Sequence, residues 1–137
     1  MENPNIGLIY EALGAYQAGD QRRLRELIDP DIEVRGGNGL INVGTYKGFD
    51  GFMEWIGRWE EAWDPISYEP QDIVEVDDSL FVVAVHTMGR GAASGVEIDT
   101  VFGWVCQIED GHATRFHIYV TVDEALDVAR GLAEGRE

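Results

Sequence analysis

Val96-Glu-Ile-Asp-Thr-Val-Phe-Gly-Trp-Val-Cys-Gln-Ile-Glu-Asp-Gly-His-Ala-Thr-Arg-Phe-His-Ile-Tyr-Val120 decides the fold of this chain. Both arms are rich in β-branched and aromatic residues. Between them Glu109-Asp110-Gly111 supplies the Asp-Gly pair that a short hairpin turn with positive φ requires. On the first arm Ile98, Thr100, Phe102, Trp104, Cys106 and Ile108 share one parity, and on the second Phe116, Ile118 and Val120 do. A strand presents alternate residues to one face, so this ribbon has one broad apolar side that other elements must cover.

The covering elements lie upstream. Asp50 to Trp63 follows a helical pattern, with Asp50 as its expected N-cap and Asp64-Pro65 as its stop. Trp55, Trp59 and Trp63 stand at i, i+4 and i+8, within about 80° of a helical wheel. Three indoles on one face bury roughly several hundred square ångströms. Packing against the sheet accounts for that stripe structurally. The functional alternative is that the outermost indoles wall an aromatic pocket, since a buried indole N–H needs a partner.

Further back, Asn3-Pro4 opens a first helix, with Ile9, Ala12, Leu13 and Tyr16 at helical spacing and Gly19 as its stop. Asp20 caps a second helix whose buried side is Leu24, Leu27 and Ile28, and Asp29-Pro30 closes it. Ile32 and Val34 alternate with Glu33 and Arg35 as a first short strand, and Leu40 to Val43 is also strand-like. Ile66 to Val76 and Leu80 to Arg90 form two more strands. Thr121-Val122-Asp123-Glu124 is a capping box for a last helix reaching about Leu132. Helices segregated from a run of antiparallel strands make an α+β fold in one domain over residues 1–137.

Composition sets limits. The chain has 137 residues, 45% of them apolar, which suits an ordinary globular domain. Its formal charge is −16, from 10 basic and 26 acidic side chains, and such a surface repels nucleic-acid backbones and anionic membranes. No apolar run approaches the roughly 20 residues of a membrane span, and the N-terminus lacks signal-peptide character. Cys106 is the single cysteine. A buried thiol in a reducing cytoplasm is therefore the expected setting.

Several motifs are structural rather than chemical. Gly36-Gly37-Asn38-Gly39 is followed by a strand-like run instead of a helix, so it is no phosphate loop. Gly89 to Gly95 links two strands. Ser67, Ser79 and Ser94 sit in no nucleophile-elbow context. His86, His117, Cys106 and Asp99 lack the close spacing of a metal site, so neither a metal nor another cofactor is expected.

With its order of elements in place, the chain resembles the NTF2-like (cystatin-like) cone, and specifically SnoaL-like proteins. The echoes are Tyr16-Gln-Ala-Gly-Asp20, Leu27-Ile-Asp-Pro-Asp-Ile-Glu-Val34, Tyr46-Lys-Gly-Phe-Asp-Gly-Phe52, and the Glu109-Asp110-Gly111 turn leading to Arg115-Phe-His-Ile-Tyr119. The resemblance implies a strongly curved sheet wrapped around about three N-terminal helices, a deep pocket, and a homodimer packed through the outer sheet face. It does not carry one activity, because this architecture hosts isomerases, epoxide hydrolases, cyclases, dehydratases and binding modules. In comparison with ketosteroid isomerases, the tyrosine position falls on Ala12, the general base near Gly36 and the protonated acid near Trp104, so that chemistry is absent. The last-strand aspartate of limonene-epoxide hydrolases falls on Ile118. SnoaL-type cyclases match only by residue type.

Two functions remain. One is a binding module, with Tyr16, Trp55, Trp59, Trp63, Phe102, Trp104, Phe116 and Ile118 enclosing a small, largely apolar and even polycyclic molecule. The other is a cyclase, isomerase or hydrolase acting on a carbonyl or epoxide, with His86 as acid/base and Arg90 or Asp99 orienting it. That second reading needs His86, Met88 and Arg90 to face the cone interior, leaving Phe81, Val83, Val85 and Thr87 for a dimer partner. His117 and Tyr119 alternate with Phe116 and Ile118 and are expected to face outward into the dimer. A third possibility is a dimeric assembly module whose pocket has collapsed.

Overall fold

The hairpin is the centre of the computed structural model, which describes residues 3–37 and 44–135. Its arms are β5 (Glu97–Glu109) and β6 (His112–Tyr119). Asp110 and Gly111 take φ values of 51° and 78°, the paired positive angles that favour Asp-Gly in a two-residue turn. Trp104 pairs with Ile118 and Cys106 with Phe116, so the two apolar parities coincide on one face.

The N-terminal helices form as their caps dictate. Asn3 accepts a hydrogen bond from the Asn5 N–H and opens α1 (Pro4–Ala18), which ends at Gly19 with φ 72°. Asp20 accepts from the Arg23 N–H at 3.1 Å and opens α2 (Gln21–Leu27). Here the chain departs from expectation, because β1 (Ile28–Gly36) begins before Asp29-Pro30 is reached. The expected strand over 40–43 lies outside the described residues; the next described strand is β2 (Gly44–Lys47).

The tryptophan helix, α3 (Gly48–Ala62), starts earlier than its sequence implies. Lys47 occupies the N-cap with no side-chain cap bond, and Asp50 lies in the first turn, where a carboxylate meets the positive end of the helix dipole. The helix stops at Ala62, and Trp63 becomes the first residue of β3 (Trp63–Asp77). Pro65 cannot donate a helical N–H and its ring would clash with a carbonyl one turn back, so the helix ends ahead of it. Trp63 therefore leaves the helical stripe it was expected to complete.

With β4 (Leu80–Gly91) the sheet is curved and mixed, in the order β2-β1-β6-β5-β4-β3. All neighbours are antiparallel except β1 and β6, which run parallel with Val34 opposite Phe116. The expected curved antiparallel sheet is thus present, with this one parallel pair within it. Parallel neighbours require a long connection, and here everything from β2 to β5 supplies it.

Both faces of the sheet centre are buried. On the inner face Phe81, Val83 and Val85 join Phe102, Trp104, Cys106 and Ile118 in one core with the N-terminal helices. On the outer face Leu80, Val82, Val105 and Tyr119 pack beneath α4 (Val122–Ala133) through Ala125 and Ala129. Thr121 caps that helix, accepting from the Glu124 N–H at 3.1 Å. The face of β4 that the enzyme reading needs is thus the reverse of the one found. Its register sets Val83 opposite Trp104 and Val85 opposite Phe102, so Phe81, Val83, Val85 and Thr87 point inward, away from any partner, while His86, Met88 and Arg90 point outward.

Gly103 shows how closely α4 sits. A Cβ at that position would lie 2.6 Å from the Ala125 Cβ and 2.8 Å from the Thr121 carbonyl oxygen. Gly103→Val is predicted to destabilise the fold by about 1–3 kcal/mol through overpacking. Urea unfolding checks this, and an unchanged midpoint would mean that α4 docks more loosely.

Candidate functional site

Between the helices and the inner sheet face lies an apolar cavity of about 100 Å³. Tyr16 of α1, Trp55 and Trp59 of α3, Phe102 and Trp104 of β5, and Phe116 and Ile118 of β6 all border it. Of the eight side chains expected to enclose a ligand, Trp63 alone does not border the cavity; its ring packs against Trp59 at 5.7 Å between centroids. Sequence reasoning missed Tyr68 of β3, Leu24, Ile28 and Ile32, which also border it.

The walls are an aromatic lattice. Residues four apart on a helix overlie one another, and the Trp55 and Trp59 rings stack 5.8 Å apart at 7°. Phe116 meets both Trp55 and Trp104 edge-on, at 6.3 Å and 84° and at 5.2 Å and 89°. Phe102 meets Trp59 at 6.0 Å and 66°. Edge-to-face pairs are the favourable arrangement for ring quadrupoles, so these contacts hold each wall in one orientation.

Polar groups at the cavity are few. The Trp59 Nε1–H donates to the Tyr68 hydroxyl oxygen at 2.8 Å. The Tyr16 hydroxyl is in hydrogen-bonding contact with Tyr68 and Glu60; burial first, then these two neighbours, holds its phenol above the ordinary range. Burial likewise raises Tyr68. Burial pushes the Cys106 thiol up to about 12, so it is no thiolate at neutral pH. The Trp104 Nε1 is buried with no hydrogen-bond partner among the described residues. Arg115 also borders the cavity, and its Nε stands 3.6 Å from Glu33.

The expected acid/base group is assembled elsewhere. His86 Nε2 lies 2.5 Å from Asp99 Oδ1, and Arg90 pairs with Glu97 at 2.9 Å. These pairs lie together on the outer sheet face, opposite the cavity, because β4 carries His86 and Arg90 on the parity of Ala84 and Met88. Among the described residues no group of three or more His, Cys, Asp or Glu side chains could hold a metal ion.

A second polar cluster was not foreseen. His117 points outward as expected, yet it is 2% exposed within this one chain. Its Nε2 is 2.8 Å from Glu33 and its Nδ1 is 3.2 Å from the Tyr119 hydroxyl. Glu33 reads in sequence as a solvent-facing strand residue, and only the β1–β6 pairing brings it to His117. Burial opposes ionisation of Glu33, but the His117 hydrogen bond, with Arg115 and Lys47, outweighs it and holds the carboxyl below the usual range. Burial lowers His117 and outweighs the pull of Glu33. A neutral imidazole donating from Nε2 to Glu33 and accepting at Nδ1 from Tyr119 satisfies both contacts.

This cluster gives a pH signature. The folded state resists protonating His117, while the unfolded chain takes up that proton near the ordinary value of about 6.5. The stability His117 contributes is therefore full above that value and is lost as pH falls below it. The unfolding free-energy difference between the wild type and His117→Gln is predicted to shrink from pH 7 to pH 5 in denaturant titrations. A difference that grows would show that the imidazole is charged in the fold.

A family model described as a SnoaL-like domain matches residues 9–116. An NTF2-like protein from Burkholderia xenovorans LB400 superposes with a TM-score of 0.78 at 18% identity, covering 94% of this chain and 98% of that one. TerC, co-crystallised with polyporic acid, superposes with a TM-score of 0.75 at 20% identity over 93% and 98%. RV0760c from Mycobacterium tuberculosis, in complex with estradiol-17beta-hemisuccinate, gives 0.70 at 11% identity over 89% and 97%. At such identities the likeness is one of fold. No curated protein matches the chain.

Proposed function

The chain belongs to the SnoaL-like family, and we propose that it is a binding module for a small, largely apolar molecule held in the aromatic cavity. The observation that carries this reading is the character of the wall. Among the described residues that border the cavity there is no carboxylate and no imidazole, and the thiol there is protonated at neutral pH. Proton transfer near pH 7 calls for a group poised near that pH, and the His86–Asp99 pair lies across the sheet. Two fold neighbours hold small organic molecules, which accords with a ligand-holding role.

Size narrows the ligand. Pockets for drug-sized ligands measure roughly 300–1,000 Å³, whereas an engineered apolar cavity of roughly 150 Å³ admits benzene. A cavity of about 100 Å³ suits a single ring better than a polycycle. The lone buried Cys106 is in keeping with a reducing compartment, and among the described residues no helix is long and apolar enough to cross a membrane.

Tryptophan fluorescence tests the proposal directly, because Trp55, Trp59 and Trp104 line the space. Titration with benzene, toluene and cyclohexanone is expected to give saturable quenching, which Ile118→Phe, by filling the cavity, reduces at least tenfold in affinity. If no compound gives saturable quenching, the binding role is refuted.

A further inference from the structure

We propose that α1 is the door of the cavity: it lifts from the sheet about its junction with α2 at Gly19 and lets small guests in. This rests on the binding role above and gives its ligand a route. Ile9, Ala12, Leu13 and Tyr16 all border the cavity. They stand at i, i+3, i+4 and i+7, so one whole stripe of α1 forms a wall of the hollow.

The other walls are held more firmly. The strands are locked into the sheet, and α2 runs without a break into β1. α1 and α3 have the same length, 15 residues, yet differ in anchorage. α3 buries Phe49, Phe52, Trp55, Ile56 and Trp59, and its indoles meet rings of β5 and β6 edge-on. α1 buries Ile9 and Ala15 alone. Its polar ties gather near its ends. Asn3 and Asn5 donate through Nδ2 to the Asp78 carbonyl in the β3–β4 turn, at 2.9 and 3.1 Å, and Gln17 Nε2 donates to the Tyr68 carbonyl at 3.4 Å. Arg23 of α2 pairs with Glu11. These ties are exposed, so water can replace each of them as the helix lifts. A segment with few buried apolar contacts and exposed hydrogen bonds opens more readily than the fold as a whole.

The helix is also weakened from within. Gly7 and Gly14 lie in its interior, and no described atom beyond the helix's own backbone is within 4 Å of a Cβ placed at either. No packing requires these glycines, and glycine surrenders more backbone entropy in a helix than alanine does.

Cys106 borders the cavity from the inner sheet face and is the chain's single cysteine. Its labelling by methyl methanethiosulfonate, a small neutral reagent, therefore reads entry without a ligand. Gly7→Ala with Gly14→Ala is expected to slow labelling about tenfold. Asn3→Ala, which removes a helix cap and a tie to Asp78, is expected to speed it about fivefold. Gly57→Ala makes the same change in open space on α3 and is expected to leave the rate unchanged. The inference is overturned if the α1 pair or Asn3→Ala has no effect, or if Gly57→Ala slows labelling as much as Gly14→Ala alone. Cys106 would then be reached by another route or by global unfolding. Should a variant fail to fold, hydrogen exchange of the wild type decides: α1 amides are expected to exchange about tenfold faster than those of α3, and equal protection refutes the door. These readings can fail while saturable quenching still supports binding, and absent quenching removes the binding role while leaving the motion of α1 measured.

Discussion

The structure depends on the stacking of Trp55 and Trp59 against the β5–β6 ribbon. These side chains are 2% and 3% exposed and touch Phe102 and Phe116 from across the cavity. An aromatic side chain buries about 150–250 Å², and truncating one to alanine typically costs about 3–5 kcal/mol. The exposed Glu54–Arg58 pair on the far side of the same helix belongs to a class contributing about 0–1 kcal/mol. Ring packing therefore decides where α3 sits, and the position of α3 sets the cavity.

The same packing explains why a hollow survives. Rings that meet edge-to-face are rigid and leave corners that they cannot fill, whereas flexible aliphatic chains would collapse into them. On the other side of the sheet α4 closes down on Gly103 through its own small Ala125, and the layers touch. One sheet thus has a dense face and a hollow one. His117 and His86 lie away from the hollow, in the Glu33–His117–Tyr119 and His86–Asp99 clusters.

The sequence showed the elements more clearly than their faces. Asp110-Gly111, Asn3-Pro4, Gly19-Asp20 and Thr121 each announce a local geometry that the backbone adopts, because turn and cap chemistry acts within a few residues. The Trp55–Trp59 pair was legible for the same reason. The inward face of β4 was not. Leu80 to Val85 is apolar at both parities, since α4 covers one side and the core the other, and a strand buried twice has no alternation to read. Glu33 and Tyr68 escaped notice because their roles come from partners far along the chain. The end of α3 shows a smaller limit: Asp64-Pro65 marked a stop, but the stop took effect before Trp63 and removed it from the stripe.

All of this turns on a greasy space bordered by Trp55, Trp59, Trp104 and Phe116. Xenon enters dry apolar cavities of this kind and is visible by its electron density. Crystals of the protein pressurised with xenon are predicted to show a bound atom within contact of those four rings. Crystals in which xenon is found elsewhere, or nowhere, would contradict the account.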